Sequence, residues 1–272
     1  MTEQDLIQAP HRYDAIFEKM RQSEMNGWVG GADPKLAGIF TVAALLQRLS
    51  IGPHSKVLDF GCGIGRVALE LLGRDNRAAH YVGFDIVPAL VDFCRTEIAP
   101  FCPNTTFELI EGDNSHYDHF KQGVTLPRSR EALTGEYGGR FTHAFAISVF
   151  THLDAEQFQR ELRFVASLLD DGAQFMFTAF TLTPFSRRQM TIGSQFFNFD
   201  TAEYRDDGQV MVGNPADPLA FIAYDRSLIE RYVDEAGLII CNVDYGQWMG
   251  GDTGNSLQDH YVCRKPLRRT AG

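Results

Sequence analysis

Apolar and polar residues follow two different spacings along this chain, and the spacings predict strands and helices in turn. Short apolar runs such as Lys56–Phe60 and Tyr81–Phe84 have the length and composition of buried strands. Between them, over Arg66–Leu72, apolar residues recur with the spacing of a helix that buries one face. The clearest helix follows Asp154, whose spacing to Gln157 is that of an N-terminal capping box.

The same two spacings continue towards the end of the chain. They predict further helices over Leu36–Leu49, after Pro88 and over Arg226–Ala236, and further strands over Thr106–Ile110, Phe141–Val149, Gln174–Phe180, Leu238–Val243 and Tyr261–Arg264. Strands that alternate with crossover helices imply a parallel sheet covered on both faces. The link between the last two strands is too short for a crossover helix, which predicts an antiparallel hairpin. The sequence thus predicts an α/β fold with a seven-stranded, mostly parallel sheet, helices on both faces and one antiparallel strand.

Two long segments interrupt this alternation. Residues 114–140 connect the third strand to the fourth and are rich in Gly, Ser and charge. Residues 181–223 follow the fifth strand and hold aromatic residues, Gly and Pro without a firm period, which predicts an irregular segment. Long irregular segments in a compact domain are more often functional than ornamental, so we expect residues 181–223 to serve the binding of a substrate.

A glycine-rich turn follows the first predicted strand, in Asp59-Phe60-Gly61-Cys62-Gly63-Ile64-Gly65-Arg66. Such a turn lets a ligand approach the backbone, because no Cβ stands in the way. A dinucleotide-binding turn needs a third glycine where Arg66 stands, and it places a pyrophosphate at the helix N-terminus. The acidic Asp59 would repel a pyrophosphate but suits a cationic ligand. A purely structural turn with a solvated Asp59 is the alternative.

Acidic residues also follow the second and third predicted strands. Asp85 lies 20 residues beyond Gly65, where a carboxylate can accept hydrogen bonds from both hydroxyls of a ribose. Asp113, followed by Asn114, is placed to accept a hydrogen bond from the amine of adenine. Ligands of open α/β sheets bind at the carboxyl ends of the strands, where these side chains are expected.

With these motifs the chain resembles the class I methyltransferases that depend on S-adenosylmethionine (SAM). The matching stretches are Val57–Arg66, Tyr81–Ile86, Glu108–Asn114, Ile147–Leu153 and Leu168–Phe177. The resemblance implies a Rossmann-like domain over residues 36–265, with SAM as the cofactor and S-adenosylhomocysteine as its product. Residues 1–35 would form a helical lid before this domain and residues 266–272 a tail. Additions such as 114–140 and 181–223 form the acceptor pocket in this superfamily.

The resemblance also implies roles for individual residues. Asp59 and the glycine-loop backbone would hold the methionine part of SAM, Asp85 the ribose, and Asp113 with Asn114 the adenine, on which Ile86 would pack. The expected cofactor contacts are Trp28, Asp59, Gly61, Cys62, Gly63, Gly65, Asp85, Ile86, Asp113, Asn114 and Ser148. Tyr13 and Trp28 would belong to a lid over the cofactor, and as sequence alone they are equally good core aromatics.

Three further sets of residues are candidates for a general base, for contacts with the methyl acceptor and for a metal site. His152, at the end of the fourth predicted strand, is our candidate general base, and the alternative is a residue that packs and caps a helix start. Expected acceptor contacts are Tyr13, Arg187, Phe196, Phe197 and Tyr204, which suit an apolar pocket with a cationic rim. Alternatively, these aromatics simply cover the sheet edge. His116 and His119 have a spacing open to metal binding, but a polar loop explains them better, so we expect no metal.

Composition limits the kinds of partner that we expect for this protein. A formal net charge of -10 disfavours nucleic acid, and no apolar run approaches the ~20 residues that cross a membrane. Five cysteines without a C-x-x-C pair, and an N-terminus unlike a secretion signal, predict a cytoplasmic protein with reduced thiols. Ile147-Ser148-Val149-Phe150 stands where enzymes that methylate amino groups of nucleic acids carry Asn/Asp-Pro-Pro-Tyr, which disfavours adenine N6 methylation.

We therefore predict a SAM-dependent methyltransferase that acts on a small-molecule acceptor, at oxygen in preference to nitrogen, and we leave its oligomeric state open. Two alternatives remain: a saccharide or larger biosynthetic intermediate as the acceptor, and a SAM-binding protein that transfers no methyl group. An NAD-dependent oxidoreductase ranks third, because Arg66 replaces the glycine that its motif needs.

Overall fold

A computed structural model describes residues 3–73, 77–120, 126–191, 197–248, 250 and 256–267, with side chains from residue 11 onward apart from 119. The α-helices are α1 (Glu3–Gln22), α2 (Met25–Trp28), α3 (Pro34–Arg48), α4 (Arg66–Gly73), α5 (Pro88–Phe93), α6 (Arg130–Tyr137), α7 (Ala155–Leu168), α8 (Pro184–Met190) and α9 (Arg226–Glu235). The strands are β1 (Lys56–Phe60), β2 (His80–Asp85), β3 (Thr105–Leu109), β4 (Phe141–Ala146), β5 (Leu169–Ala179), β6 (Thr181–Leu182), β7 (Glu203–Arg205), β8 (Val210–Val212), β9 (Ile222–Asp225), β10 (Ile239–Asp244) and β11 (Asp259–Arg264).

Seven of these strands form one sheet in the order β10-β11-β5-β4-β1-β2-β3. The pairs β1–β2, β2–β3 and β4–β5 are parallel. Strand β11 runs antiparallel to both of its neighbours, β5 and β10. The predicted fold class is confirmed, including the antiparallel strand near the end of the chain. The described residues divide into two compact units, those within 1–112 and 120–133 and those within 113–119 and 134–272.

The first unit contains β1, β2 and β3 with the helices that precede and connect them. Helix α1 buries Tyr13, Phe17 and Met20. Helices α3 and α4 come very close together at Gly38, where a Cβ would lie 2.9 Å from the backbone oxygen of Arg66. Glycine permits this approach because it has no side chain to hold the two backbones apart. The N-terminal segment is helical in α1 and α2, and its role as a lid stays a prediction.

The second unit contains β4, β5, β10 and β11. Helix α7 begins as the spacing predicts, because the Asp154 side chain accepts a hydrogen bond from the Gln157 backbone and the Gln157 side chain accepts one from the Asp154 backbone. Strand β4 ends at Ala146, three residues before the predicted end, because Ser148 has a left-handed backbone (φ 57°) that a strand cannot continue through. A short 3₁₀ turn, Phe150–His152, follows.

The prediction of an irregular segment over 181–223 is wrong. This segment holds α8 and most of a second sheet, of four strands in the order β6-β9-β8-β7. Its core is an apolar cluster of Phe180, Leu182, Met211, Phe221, Ala223 and Trp248. Strands of two to four residues are too short to show a period of two, and β6 pairs with β9, about forty residues later in the chain. The spacing of apolar residues therefore cannot predict these strands.

One buried carboxylate joins this small sheet to the rest of the second unit. Asp259, at the start of β11, accepts hydrogen bonds from the backbone of Thr181 (2.8 Å), the backbone of Gly246 (2.7 Å) and the indole of Trp248 (3.2 Å). Its side chain is fully buried. Burial raises the pKa of Asp259 to about 6, against the opposing effect of the three donors.

Replacing Asp259 with Ala should destabilise the protein strongly. It leaves three buried donors without an acceptor, and each such group costs about 1–3 kcal/mol. We expect the free energy of unfolding, measured in urea, to fall by at least about 3 kcal/mol. The matched variant Asp259→Asn keeps the shape and one acceptor oxygen, so it should lose less. Equal losses in both variants would contradict the role of these hydrogen bonds.

The pH dependence of this difference is also expected. The folded carboxyl binds a proton at about pH 6, whereas an unfolded Asp does so near ~3.9. As pH falls between these values, the wild type should therefore gain stability relative to Asp259→Asn, with a constant difference above about pH 7. The measurement is urea unfolding of both proteins from pH 4 to pH 8. A wild type that gains stability relative to Asp259→Asn as the pH rises would contradict this expectation.

Candidate functional site

The glycine loop after β1 is held in place by the end of β2. Gly61 and Cys62 both donate backbone hydrogen bonds to the Phe84 carbonyl, at 2.8 and 2.9 Å. Gly61, Gly63 and Gly65 have φ values of 89°, 55° and 80°, which side chains rarely allow. A Cβ at Gly65 would lie 2.2 Å from the end of the Ile98 side chain, so any larger residue there would force that side chain to move. Helix α4 begins directly after this turn.

Asp85, at the end of β2, bonds to the same loop. Its carboxylate accepts hydrogen bonds from the Gly63 backbone at 2.8 Å and from the Val87 backbone at 3.0 Å, one to each oxygen. Burial raises the pKa of Asp85, and the backbone donors oppose that effect. The Ile86 backbone is a third donor to Asp85, and a carboxylate can accept about four hydrogen bonds, so one lone pair is left for a ligand. Ile86 follows directly and packs against Gly112.

Asp59 lies beneath the loop and is buried. The hydroxyl of Tyr81 donates a hydrogen bond to its carboxylate. Burial raises the pKa of Asp59 to about 7, although the Tyr81 hydroxyl and the Arg66 charge act in the opposite direction. One of its oxygens is thus committed to β2. The expected contact with a cationic ligand stays a prediction.

The segment after α2 lies against the glycine loop. A Cβ on Gly63 would stand 3.1 Å from the Val29 side chain, so this valine is in close contact with the loop. Trp28, beside it, stacks on Phe120 with ring centroids 4.5 Å apart. Asn26 donates from its side-chain amide to the Ala32 carbonyl at 3.1 Å, and its buried Oδ1 has no hydrogen-bond partner among the described residues.

The two candidate lid aromatics have different surroundings. Trp28 is partly exposed, whereas Tyr13 is buried in the interior of the first unit. The Tyr13 hydroxyl donates a hydrogen bond to Glu70 of α4, and its ring packs edge-on against Phe17. This burial favours the packing alternative for Tyr13 and speaks against its contact with an acceptor.

In the second unit, Asn114 ties the segment after β3 to the turn after β4. Its amide donates to the His152 carbonyl at 2.7 Å, and its Oδ1 accepts from the His116 backbone at 3.0 Å. The neighbouring Asp113 is exposed and forms a bidentate ion pair with Arg160, at 3.0 and 2.7 Å. Both side chains are thus engaged within this unit, and the expected contacts with adenine stay predictions.

Ser148 stands at the carboxyl end of β4 in a strained backbone conformation. A left-handed φ on a non-glycine residue costs about 1–2 kcal/mol, and such residues cluster at functional sites. The Ser148 backbone donates to the Thr178 hydroxyl at 2.7 Å, and its own hydroxyl donates to Gln258 at 3.0 Å. Thr178 and Gln258 therefore hold the strained residue in place.

Two imidazoles stack beside this turn. The rings of His116 and His152 are parallel within 5°, with centroids 5.5 Å apart. His116 Nδ1 lies 2.7 Å from a carboxylate oxygen of Asp217, and His152 Nδ1 lies 3.0 Å from the Leu219 carbonyl. Burial lowers the pKa of His152. The sequence indicates His152 but not Asp217, because Asp217 lies 101 residues from His116 and no local motif marks that pair.

The structure also bears on the other candidate chemistry. Among the residues it describes, no group of three His, Cys, Asp or Glu side chains is placed to hold a metal ion. The His119 side chain lies outside the described residues. None of the described helices is both long enough and apolar enough to span a bilayer.

The residues of 181–223 that we expected to contact the methyl acceptor are largely engaged in stabilising the small sheet. Arg187 donates to the Gly208 carbonyl at 2.7 Å and to Asp225 at 3.0 Å, and its guanidinium lies over the ring of Tyr204. Phe197 packs against the apolar cluster of that sheet, which favours the covering alternative. Tyr204 is half exposed, and Phe196 lies outside the described residues.

Comparison with known proteins assigns the chain to a family. The family model described as a methyltransferase domain matches residues 39–207. A carboxy-S-adenosyl-L-methionine synthase of Chromohalobacter salexigens is 34% identical over 81 residues, which are 29% of this chain and 29% of that protein. The chain thus matches less than a third of the length of this relative.

Two solved structures show the same fold. One is the magnesium protoporphyrin IX methyltransferase of Synechocystis PCC 6803 with bound S-adenosylhomocysteine, which is 15% identical in sequence. The two structures match with a TM-score of 0.53 over 94% of this chain and 93% of that enzyme. The other is the 1,6-didemethyltoxoflavin-N1-methyltransferase of Burkholderia thailandensis, also with bound S-adenosylhomocysteine, which is 15% identical in sequence. That match has a TM-score of 0.51 over 94% of this chain and 90% of that enzyme. The family model spans more than half of the chain and includes the glycine loop, Asp85 and the turn after β4. This chain therefore belongs to the SAM-dependent methyltransferases.

Proposed function

We propose that this protein transfers the methyl group of SAM to a hydroxyl of a small molecule and releases S-adenosylhomocysteine. The observation that carries the proposal is the glycine loop bonded to the Asp85 carboxylate. The glycines of the loop leave room for a ligand beside the end of β1, and Asp85 retains a lone pair at the end of β2. SAM would supply an electrophilic methyl group on a positively charged sulfur.

The residues of the first unit fit this cofactor chemically. SAM presents an ammonium group, two ribose hydroxyls and an adenine amine, all of them hydrogen-bond donors. The first unit offers an acceptor to match in the remaining lone pair of Asp85. A pyrophosphate needs donors and positive charge, whereas Asp59 and Asp85 lie beneath and beside this loop. We infer that Asp85 binds the ribose and that the segment around Trp28 closes over the cofactor.

The proposed acceptor is a small molecule that carries a hydroxyl. A hydroxyl must lose its proton during methyl transfer, and the second unit holds two imidazoles side by side. The net charge of -10 opposes binding to a nucleic-acid backbone. A saccharide or a larger biosynthetic intermediate is the alternative acceptor within this proposal. We place the reaction in the cytoplasm, because the five cysteines include no C-x-x-C pair and suit reducing conditions.

A second candidate function is SAM chemistry without methyl transfer to an acceptor. The relative from Chromohalobacter salexigens is named for the synthesis of carboxy-SAM, and its similarity to this chain covers 81 residues. Mass spectrometry of the nucleoside product separates the two functions. Methyl transfer yields S-adenosylhomocysteine, which is lighter than SAM. Synthesis of carboxy-SAM yields a sulfonium nucleoside that is heavier than SAM.

Binding of SAM should be selective over binding of NAD. We expect SAM and S-adenosylhomocysteine to raise the melting temperature by a few degrees at concentrations near 100 times the dissociation constant, where binding adds ~2.7 kcal/mol of stability. NAD should leave the melting temperature unchanged. A shift with NAD alone would overturn the proposed cofactor.

Asp85→Ala should weaken SAM binding by about 10- to 100-fold, which corresponds to ~1.5–3 kcal/mol for hydrogen bonds to a charged group. Isothermal titration calorimetry measures the change. The matched control is Asp92→Ala, which removes an exposed carboxylate from α5 and should bind SAM like the wild type. Unchanged affinity in a folded Asp85→Ala protein would remove Asp85 from the site.

Tyr204→Ala tests whether the small sheet contributes to acceptor binding. We propose that this half-exposed ring contacts the acceptor, so its removal should raise the acceptor KM and leave the SAM dissociation constant within about threefold. Phe197→Ala is a poorer probe, because Phe197 packs into the apolar cluster and its loss should lower stability. An unchanged acceptor KM in Tyr204→Ala would place the acceptor elsewhere.

A further inference from the structure

We propose that Asp59, held by Tyr81 beneath the glycine loop, makes this site prefer SAM to S-adenosylhomocysteine through the exchange of one proton. Asp59 would release its proton when SAM binds and would keep it when S-adenosylhomocysteine binds. The inference rests on the proposed function, because it concerns the cofactor and the product of that reaction. It gives Tyr81 a role as a positioning residue, which acts on the nucleosides only through Asp59.

The register of β1 and β2 explains why these side chains meet. Side chains alternate between the two faces of a sheet, so Tyr81, Gly83 and Asp85 share one face of β2. Gly83 is the register partner of Asp59, which places Asp59 on that same face. Gly83 has no side chain, and Cys62 occupies the space beside it, since a Cβ on Gly83 would lie 2.9 Å from the Cys62 Cβ. The Tyr81 hydroxyl can therefore reach the Asp59 carboxylate and donate to it.

A cluster of buried groups determines when Asp59 carries a proton. Burial raises the pKa of Asp59 to about 7, and the charge of Asp85 acts in the same direction. The Tyr81 hydroxyl and the charge of Arg66, at the start of α4, act in the opposite direction. Asp59 therefore gains and loses its proton near neutral pH. The remaining titratable groups of the cluster are the thiols of Cys62 and Cys94.

The charge on sulfur distinguishes the two nucleosides. It is positive in SAM and absent from S-adenosylhomocysteine, while the adenine, the ribose and the amino acid part are the same in both. A positive charge at the loop favours the ionised form of Asp59 and so lowers its pKa. Contact is not required, because a buried charge acts over several ångströms when its surroundings screen it weakly. An ionised Asp59 should therefore strengthen the binding of SAM more than that of S-adenosylhomocysteine.

The exchange of the proton balances over one reaction. Asp59 gives its proton to solvent as the SAM complex forms, and its carboxylate then lies close to a positive charge. Once that charge is lost, Asp59 is again a buried carboxylate without compensation and takes a proton back from solvent. The protein returns to its starting state with no net gain or loss of a proton. The charged nucleoside is thereby held more tightly than the neutral one.

Tyr81 sets the pH at which this preference operates. Its hydroxyl donates to the ionised form of Asp59 and lowers the pKa of that carboxyl. Without the hydroxyl, Asp59 should keep its proton to higher pH. The preference for SAM should then be lost at a pH where the wild type still has it.

The wild type tests the proposal through the ratio of two dissociation constants, that of S-adenosylhomocysteine divided by that of SAM. Isothermal titration calorimetry measures both at pH 7.5 and pH 6, below the ~8 pKa of an α-amino group, so both nucleosides keep their ammonium charge. With a pKa of about 7 for Asp59, the ratio should fall by about 3- to 8-fold on acidification. We propose that Asp85 binds the ribose of both nucleosides, so its effect cancels in the ratio.

Calorimetry in two buffers also counts protons. Heats of binding in phosphate and in Tris differ by the heat of buffer protonation, so their difference gives the number of protons released. At pH 7, SAM should release about half a proton, because Asp59 with a pKa of about 7 is then half protonated. S-adenosylhomocysteine should release close to none. Equal release by the two nucleosides would overturn the inference.

Two variants assign the effect to its residues. In Asp59→Asn, which still accepts a hydrogen bond from Tyr81, the ratio should no longer depend on pH. In Tyr81→Phe, the fall of the ratio should shift to higher pH, a change that a purely structural role would not produce. The matched control is Tyr13→Phe, which removes another buried phenol hydroxyl of the first unit, bonded to Glu70, and should follow the wild type. A wild-type pH profile in Asp59→Asn or in Tyr81→Phe would overturn the role of that residue.

The outcomes separate this inference from the proposed function. Binding of SAM with a ratio that is the same at both pH values would overturn the inference and leave SAM as the cofactor. Failure of the folded wild type to bind either nucleoside at both pH values would overturn the cofactor and the inference together. If circular dichroism shows that a variant does not fold, the ratio and the proton count of the wild type decide.

Discussion

The constraint on which the cofactor site depends is the backbone path of the glycine loop. The chain must leave β1 and enter α4 within five residues. This requires a tight turn with left-handed conformations at Gly61, Gly63 and Gly65. The end of β2 stabilises it, through the Phe84 carbonyl and the Asp85 carboxylate. The carboxylate that shapes the loop is also the one that we propose to bind the ribose, so folding and binding would share one side chain.

A comparable dependence exists within the second unit. The stacked imidazoles owe their orientation to a turn in the small four-stranded sheet, and this sheet is anchored by the buried Asp259. Burial raises the pKa of Asp259 to about 6, and its hydrogen bond from the Thr181 backbone holds the start of β6 in place. Stability of this sheet and geometry of the His116–Asp217 pair are therefore coupled. Variants of Asp259 are expected to disturb both.

Much of the fold was accessible from the sequence because its main elements are long and periodic. Helix α7 has its capping box and a regular apolar face, and β1 is a single apolar run before glycines. The small sheet was not accessible, since its strands have two to four residues and pair across about forty residues. Ser148 likewise ended β4 early, because a left-handed serine is a tertiary outcome that residue preferences do not indicate.

The sequence by itself determined the family and its cofactor, SAM. A glycine turn followed by spaced acids is a local pattern, since each acid stands directly after its own strand. Only the tertiary structure decided how individual side chains are used. It buried Tyr13, engaged Arg187 in an ion pair, and joined His116 to Asp217. The physical reason is that hydrogen bonds and burial between residues distant in the chain depend on how the chain packs, and local spacing carries no record of that packing.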